Sequence, residues 1–492
     1  MSFTPDVNAF YRRLRKALER GETKAYRHYG QSYSYAELWD QVGRFIRTLS
    51  RQRRQRVLVY GGKSLTAYAA IYGILLSDNV WVPMTPEQAL GRNRDIMELT
   101  EATLLLSDDS LPEELATLAA QRGIRVMSFA EILAGEPLAG ELPAFKPDDE
   151  AYIMFTSGST GRPKGVPMTH ANYIPFVLNA LDILPLGQGE VFSDYHDFAF
   201  DISIFYLFCA PLSGGCLAPV TSLADRVLPL RFIRENAVSV WSSVPSVMAR
   251  IAQAHPDIPP LGELRVAFLC GEPFSLPVLR YCQEVLGIPH VYNFYGLTET
   301  GVENFHHACR IDDVERYAEY GFVPIGQPLP GNAMAVTEDK ELLLSGPQLT
   351  PGYLGGVGNE RFELRDSQRW YHTGDIVEEH QGVWFCKGRL DSQVKLSGYR
   401  IELMDIEVHL RRQPGVAEAV CFIEESRGRR RLAGVVKPVA DCMLDTDALR
   451  HQLAAELPAY MVPARLVEVA DIPLNANGKI DRRQVRELHG AS

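Results

Sequence analysis

Four hydroxyl side chains, three glycines and a lysine fall within eleven residues, Phe155-Thr156-Ser157-Gly158-Ser159-Thr160-Gly161-Arg162-Pro163-Lys164-Gly165. Glycines let a backbone turn sharply and bring its N–H groups close to an anion. The hydroxyls add donors, and the Lys164 ammonium is a mobile point charge suited to phosphate. A short apolar run, Ala151 to Phe155, leads in and reads as a strand. On composition the segment is either a phosphate clamp or a polar surface turn. It is not the Walker loop, which places Gly directly before its Lys and a hydroxyl directly after. Here Pro163 precedes Lys164 and Gly165 follows it.

Other acids and a lysine stand in short motifs. Glu299 ends Asn293-Phe294-Tyr295-Gly296-Leu297-Thr298-Glu299, and Asp375 ends Tyr371-His372-Thr373-Gly374-Asp375. Asp201 lies in Phe200-Asp201-Ile202-Ser203-Ile204-Phe205. Lys479 follows Asn477-Gly478, a tight-turn pair that presents the next side chain from a loop. Singly, these read as a surface acid, a turn aspartate, a helix-capping aspartate and a solvated lysine.

Residues 156–165 resemble the phosphate-binding loop of the adenylate-forming superfamily, which comprises amino-acid adenylation domains, acyl-CoA ligases and luciferases. Residues 295–299 resemble its YGPTE motif, with Leu297 where proline is usual; the turn is less rigid, but no functional group is lost. Residues 388–395 resemble its hinge, and Asn477-Gly478-Lys479-Ile480-Asp481-Arg482 its terminal NGK-x-DR motif. Ser34-Tyr35-Ala36-Glu37-Leu38 resembles its early turn into a helix. The likeness covers nearly the whole chain, which is identified as a member of that superfamily. Within it the chain resembles stand-alone amino-acid adenylating enzymes, such as D-alanine–carrier protein ligases and prolyl-activating ligases.

The resemblance implies a role for each motif. Thr156, Ser157, Gly158, Ser159, Thr160 and Lys164 would grip the triphosphate of ATP. Glu299 would hold Mg2+, a cation that takes oxygen ligands and is commonly bound by one or two carboxylates plus substrate phosphates. Tyr295 would stack on adenine with Asn293 and Gly296 nearby, Thr298 would approach the α-phosphate, and Gly271 and Glu272 would run along the base. Asp375 would accept both ribose hydroxyls, as a carboxylate can, and Arg389 would add a ribose or phosphate contact. Lys479 would be the cation between the attacking carboxylate and the α-phosphate, and Asp391 the hinge. Asp201 matches the acid that pairs with the substrate ammonium. Ile202, Phe205, Ser242, Phe268, Cys270, Phe294, Val302 and Glu303 match the side-chain pocket. Three phenyl rings there imply a small side chain, and Cys270 matches the cysteine of D-alanine ligases. Glu303 either reads a hydroxyl or amino group on the substrate or points out of the pocket.

The expected activity is therefore ATP-dependent activation of a small amino acid as aminoacyl-AMP, then transfer to the phosphopantetheine thiol of a carrier protein. That carrier is expected on a separate polypeptide, because only thirteen residues follow Lys479 and no carrier segment is visible. Two alternatives stand beside it. A CoA ligase for a small carboxylic acid would generally lack Asp201. A degenerate ATP-binding regulatory protein would have no need of intact Lys164, Glu299, Asp375 and Lys479.

Strands alternating with helices must position these groups. Apolar runs at 57–60, 80–83, 104–106, 238–241, 266–269 and 290–293 read as strands, with helical patterns at 5–20 and 64–77. That alternation predicts an α/β fold with parallel and mixed sheets. The predicted division is a large domain over 1–390 and a small mobile α+β domain over 391–492. The latter has helices at 403–412 and 445–456 and strands at 416–423 and 431–437. A length of 492 residues itself calls for more than one domain. A net charge of −11 argues against nucleic acid. No apolar run suggests a signal peptide or a membrane span. Eight cysteines without a C-x-x-C pair support no disulfide framework or zinc site and fit a reducing cytoplasm. His306-His307-Ala308-Cys309 has the look of a metal fragment but reads as a surface or core cluster.

Overall fold

In a computed structural model, residues 5–108, 111–138, 140–156, 162–390, 393–426, 429–439, 442–473 and 480–490 are described. The chain divides into two compact units. The first comprises 1–85, 100–154 and 165–390; the second comprises 86–99, 155–164 and 391–492. Segments 86–99 and 155–164, which the sequence division left in the large domain, thus group with the C-terminal residues.

Unit 1 begins with the expected basic amphipathic helix, Val7–Leu18, which buries Phe10, Tyr11, Leu14, Ala17 and Leu18 and leaves Arg12 and Arg13 in water. Ser34 and Glu37 then form a reciprocal capping box that starts helix Tyr35–Leu49. Helix Leu65–Leu76 is apolar on nearly every side and buried accordingly. It lies so close to Tyr35–Leu49 that a Cβ on Gly73 would collide with Phe45.

Two large sheets organise the unit. The six-stranded one has the order Arg125–Ser128, Leu104–Ser107, Arg56–Tyr60, Val80–Met84, Glu150–Thr156, Lys164–Thr169. The nine-stranded one contains a parallel block, Val191–Asp194, Val240–Ser243, Val266–Leu269 and His290–Tyr295, with Phe305–Cys309 added antiparallel at the end. The strand expected at 238–241 starts two residues later, at Val240, although Ser239 already bonds to both neighbouring strands. Its hydroxyl accepts from Val191 N–H and its carbonyl from Arg265 and Val266.

Side-chain alternation along these strands sorts residues between two cores. Phe192, Val240, Val266, Phe268, Cys270, Tyr292 and Phe294 face one core; Val191, Trp241, Ala267, Leu269 and Val291 face the other. The antiparallel strands Glu341–Ser345, Gln368–His380 and Val383–Arg389 complete the unit.

Unit 2 contains the antiparallel pair Val416–Ser426 and Arg429–Pro438, with Arg465–Glu468 added parallel. Helices Leu403–Arg411, Thr446–Glu456 and Arg482–His489 accompany this sheet. No helix among the described residues is long and apolar enough to cross a membrane.

Candidate active site

The acid-bearing strand of unit 1 gathers the expected nucleotide residues. Asp375 and Arg389 are register partners in the hairpin Gln368–His380/Val383–Arg389, so their side chains meet across it. Arg389 Nη1 donates to Asp375 Oδ1 at 2.7 Å, and its Nη2 to the Thr373 carbonyl at 2.9 Å. Tyr295, at the end of its strand, donates its hydroxyl to Asp375 Oδ2 at 2.5 Å. Asp375 is 2% exposed, and each of its oxygens still has a second lone pair for a further donor. Burial, reinforced by the Asp375 charge, pushes the Tyr295 phenol well up, which keeps it protonated as a donor.

Glu299 lies in the short 3-10 turn Thr298–Thr300 and is also 2% exposed. Tyr353 donates to its Oε1 at 2.7 Å, and the Tyr353 and Tyr371 hydroxyls are 3.0 Å apart. Tyr371 shares a strand with Asp375, so this hydroxyl chain ties the two expected acids to one element. Gly296 is required here: a Cβ would collide with the Val302 carbonyl and the Glu303 Cα. Asn293 gives its amide to the Pro324 carbonyl at 2.8 Å. Gly271 adopts a left-handed φ of +80°, and Glu272 accepts from Ser246 N–H at 3.2 Å.

The expected amino-acid pocket is drawn from one face of the nine-stranded sheet. Phe205, Phe268 and Phe294 stack as a continuous wall, with ring centroids 4.5 and 4.2 Å apart and planes within 19° of parallel. Ser242 and Cys270 share that face; Ile202, Val302 and Glu303 are buried as well. Ser242 is fully buried, beside the Tyr206 phenol. Asp201 is half-buried in the turn before Phe205, and its charge helps hold the buried Tyr152 phenol up after burial itself, the larger cause. A π-helical turn, Phe205–Cys209, follows; such turns are frequent at functional sites.

The expected phosphate residues lie in unit 2. Thr156 ends its strand half-buried, and Lys164 opens the next. Ser157, Gly158, Ser159 and Thr160 lie outside the described residues, as do Asp391 and Lys479. Arg92 Nη2 donates to the Phe155 carbonyl at 2.9 Å, and Arg162 pairs with Glu98 at 2.7 Å. The flanks of Lys479 are anchored. Asp481 N–H donates to the Pro473 carbonyl at 2.9 Å, closing the base of segment 474–480. Arg482 grips buried Glu407 with both nitrogens, at 2.6 and 2.5 Å. The terminal motif thus contains its own anchor three residues beyond the lysine.

Several supporting residues carried no sequence signal. Gln348, 1% exposed, donates to the Gly301 and Glu303 carbonyls at 2.7 and 2.8 Å, holding the turn beside Glu299. Lys63 pairs with Asp194 at 2.8 Å in the core, and Tyr68 donates to the same carboxylate. Tyr353 is likewise silent, because a buried hydroxyl looks like any tyrosine in one sequence.

Comparison with known proteins bears on the family and the fold. The AMP-binding enzyme family matches residues 14–354, and the AMP-binding enzyme C-terminal domain matches residues 405–479. An L-proline--[L-prolyl-carrier protein] ligase of Streptomyces coelicolor is 34% identical, over 91% of this chain and 90% of that one. A D-alanine--D-alanyl carrier protein ligase of Staphylococcus epidermidis is 29% identical, over 96% and 97%. The Vibrio cholerae adenylation domain AlmE, solved with glycyl-adenosine-5'-phosphate, has the same fold, with a TM-score of 0.83 at 23% identity over 99% of both chains. On the family match and the full-length likeness together, this chain belongs to the AMP-binding enzyme family.

Proposed function

We propose that this enzyme activates a small amino acid with ATP and passes it to the phosphopantetheine thiol of a carrier protein. The observation that carries the reading is Asp201, a half-buried carboxylate in the turn that leads into a wall of three stacked phenyl rings. Asp201 also stands where the resemblance to amino-acid adenylating enzymes places the acid that pairs with a substrate ammonium. The named relatives, ligases that load proline or D-alanine onto carriers, support the same reading.

The substrate carboxylate attacks the α-phosphorus, and pyrophosphate leaves. The carrier thiol then attacks the acyl carbon, and AMP leaves. Asp375, held by Tyr295 and Arg389, is oriented to accept the ribose hydroxyls. Thr156, Lys164 and the glycine-rich segment between them would hold the triphosphate, and Lys479 would neutralise charge as the carboxylate approaches. Glu299 fits Mg2+: it is a buried hard-oxygen donor fixed by Tyr353, and one such carboxylate beside phosphates suits that ion. When bound, Mg2+ supplies charge neutralisation on the phosphates. Positioning and preorganised charge account for the catalysis, with no covalent enzyme intermediate. The unit boundary at Leu390/Asp391 supports Asp391 as the hinge between the two half-reactions.

The stacked rings narrow the pocket, which favours alanine, glycine, serine or proline over aromatic and long aliphatic side chains. The test is a hydroxylamine-trapping panel over amino acids of both configurations, followed by thioester formation on holo-carrier protein and on free CoA. A small amino acid and the carrier are expected. An aromatic or long aliphatic best substrate would overturn the pocket reading, and preference for CoA would overturn the carrier. Glu303→Ala, run on the same panel, should leave selectivity unchanged if the substrate is small and neutral.

A further inference from the structure

The strand Phe305–Cys309 is the antiparallel neighbour of His290–Tyr295, and its two faces look into different cores. His306 is paired with Phe294, their rings 6.0 Å apart, on the pocket side. His307 and Cys309 alternate onto the other face, where Cys309 packs against the core containing Val291, Cys282 and Tyr317. The chain then turns, and the short helix Asp313–Arg316 brings Asp313 back to the same place. One imidazole nitrogen, one sulfur and one carboxylate oxygen of these residues all lie within 4.8 Å of one another.

The carboxylate is the informative member. Asp313 is fully buried. Its Oδ2 is spoken for, by His307 Nε2 at 2.7 Å and Arg310 N–H at 2.8 Å. Its Oδ1 is buried and has no hydrogen-bond partner among the described residues. A buried carboxylate oxygen left unpaired costs free energy unless something cationic meets it. We infer that His307, Cys309 and Asp313 form a binding site for a borderline-soft divalent transition metal, zinc being the natural occupant, distinct from the adenylation site.

The donor set matches the ion. Thiolate, imidazole and carboxylate together suit zinc, whereas magnesium and calcium take oxygen alone. One thiolate and one carboxylate neutralise a dication exactly in charge count, which suits a partly buried place. Around tetrahedral zinc such donors sit about 3.5 Å apart, with metal–ligand distances of about 2.0–2.3 Å; the His307–Asp313 contact, now 2.7 Å, must open, and no donor separation starts above 4.8 Å. Binding releases the thiol proton of Cys309, and the metal takes over the attraction now made by the His307–Asp313 hydrogen bond. A fourth position remains for water. The site would tie the strand Phe305–Cys309 to the 310–316 turn, one residue from the histidine that faces Phe294.

The experiment uses the whole chain, stripped with a chelator and titrated with Co2+, then competed with Zn2+. The expected result is one equivalent per chain, a thiolate-to-cobalt absorption band, displacement by Zn2+ and a raised melting temperature with Zn2+. Cys309→Ser should abolish the band, and His307→Ala or Asp313→Asn should weaken binding by about tenfold or more. Cys386→Ser, which removes an exposed thiol elsewhere, should change nothing. Circular dichroism identifies any variant that fails to fold. A wild-type chain that gives no thiolate band overturns the site, as does a band that survives in folded Cys309→Ser.

Discussion

Arg389→Leu is the most direct probe of the Asp375 cluster. The pair is nearly desolvated, with side chains 10% and 2% exposed and nitrogen and oxygen 2.7 Å apart. Deleting one member of a buried ion pair leaves an uncompensated charge and costs about 3–5 kcal/mol. Asp375 would keep only the Tyr295 hydroxyl as a charged-group hydrogen bond of this strength. Unfolding entropy of about 2.1 cal/mol/K per residue, over roughly 370 residues of unit 1, converts that cost into a fall of about 4–6 °C in the melting temperature of the unit. Asp375→Asn alone should cost a similar amount, since it strands the guanidinium. The double variant should recover about 0.5–3 kcal/mol relative to the sum of the two. Calorimetry on the four proteins measures the cycle. The same set, assayed by amino acid-dependent ATP–pyrophosphate exchange, should show KM for ATP raised about tenfold or more in Asp375→Asn, because hydrogen bonds to a charged group are worth about 1.5–3 kcal/mol. Melting of Arg389→Leu within 1–2 °C of wild type, or strict additivity of the two changes, would refute the argument that the pair is one buried unit.

Lys479→Ala should abolish most pyrophosphate exchange while ATP binding stays near wild type, because an interaction made in the transition state lowers turnover more than affinity; full activity in that variant removes Lys479 from the chemistry. Asp391→Pro should spare aminoacyl-AMP formation and impair thioester formation, since proline fixes φ at a residue that must rotate; equal effects on both half-reactions contradict the hinge. Burial, with Lys63 and Arg226 nearby, holds the His196 imidazole down from 6.5 to about 3. Between those values the unfolded chain binds more protons than the folded one, so this group makes stability fall as pH drops from 6.5 towards 3. His196→Gln should therefore flatten the decline in urea midpoint between pH 7 and pH 5, and unchanged slopes would show that His196 is not held neutral.

The sequence determined the local elements and the chemistry-bearing motifs. Ser34 and Glu37 start a helix in water-exposed backbone by satisfying each other's N–H groups, an interaction that spans four residues and is written in them. The strands at 266–269 and 290–295 follow from apolar runs of the right length, and the small unit's helices and strands fall within a residue or a few of their expected places. Gly296 and Asp375 were legible because a short motif fixes their type.

Tertiary structure decided what no local pattern encodes. Alternation predicts two faces for a buried parallel strand but not which core each face meets, because both faces are apolar; only the folded sheet sends Phe268 to one core and Leu269 to the other. Gln348, Tyr353 and Lys63 act on partners 45, 54 and 131 positions away, so their roles exist only once the chain has folded. Asp313 is the sharpest case. Its sequence neighbours make it an ordinary acid at the start of a short helix, and only the pairing of Phe305–Cys309 with His290–Tyr295 brings an imidazole and a thiol to a carboxylate that water cannot reach.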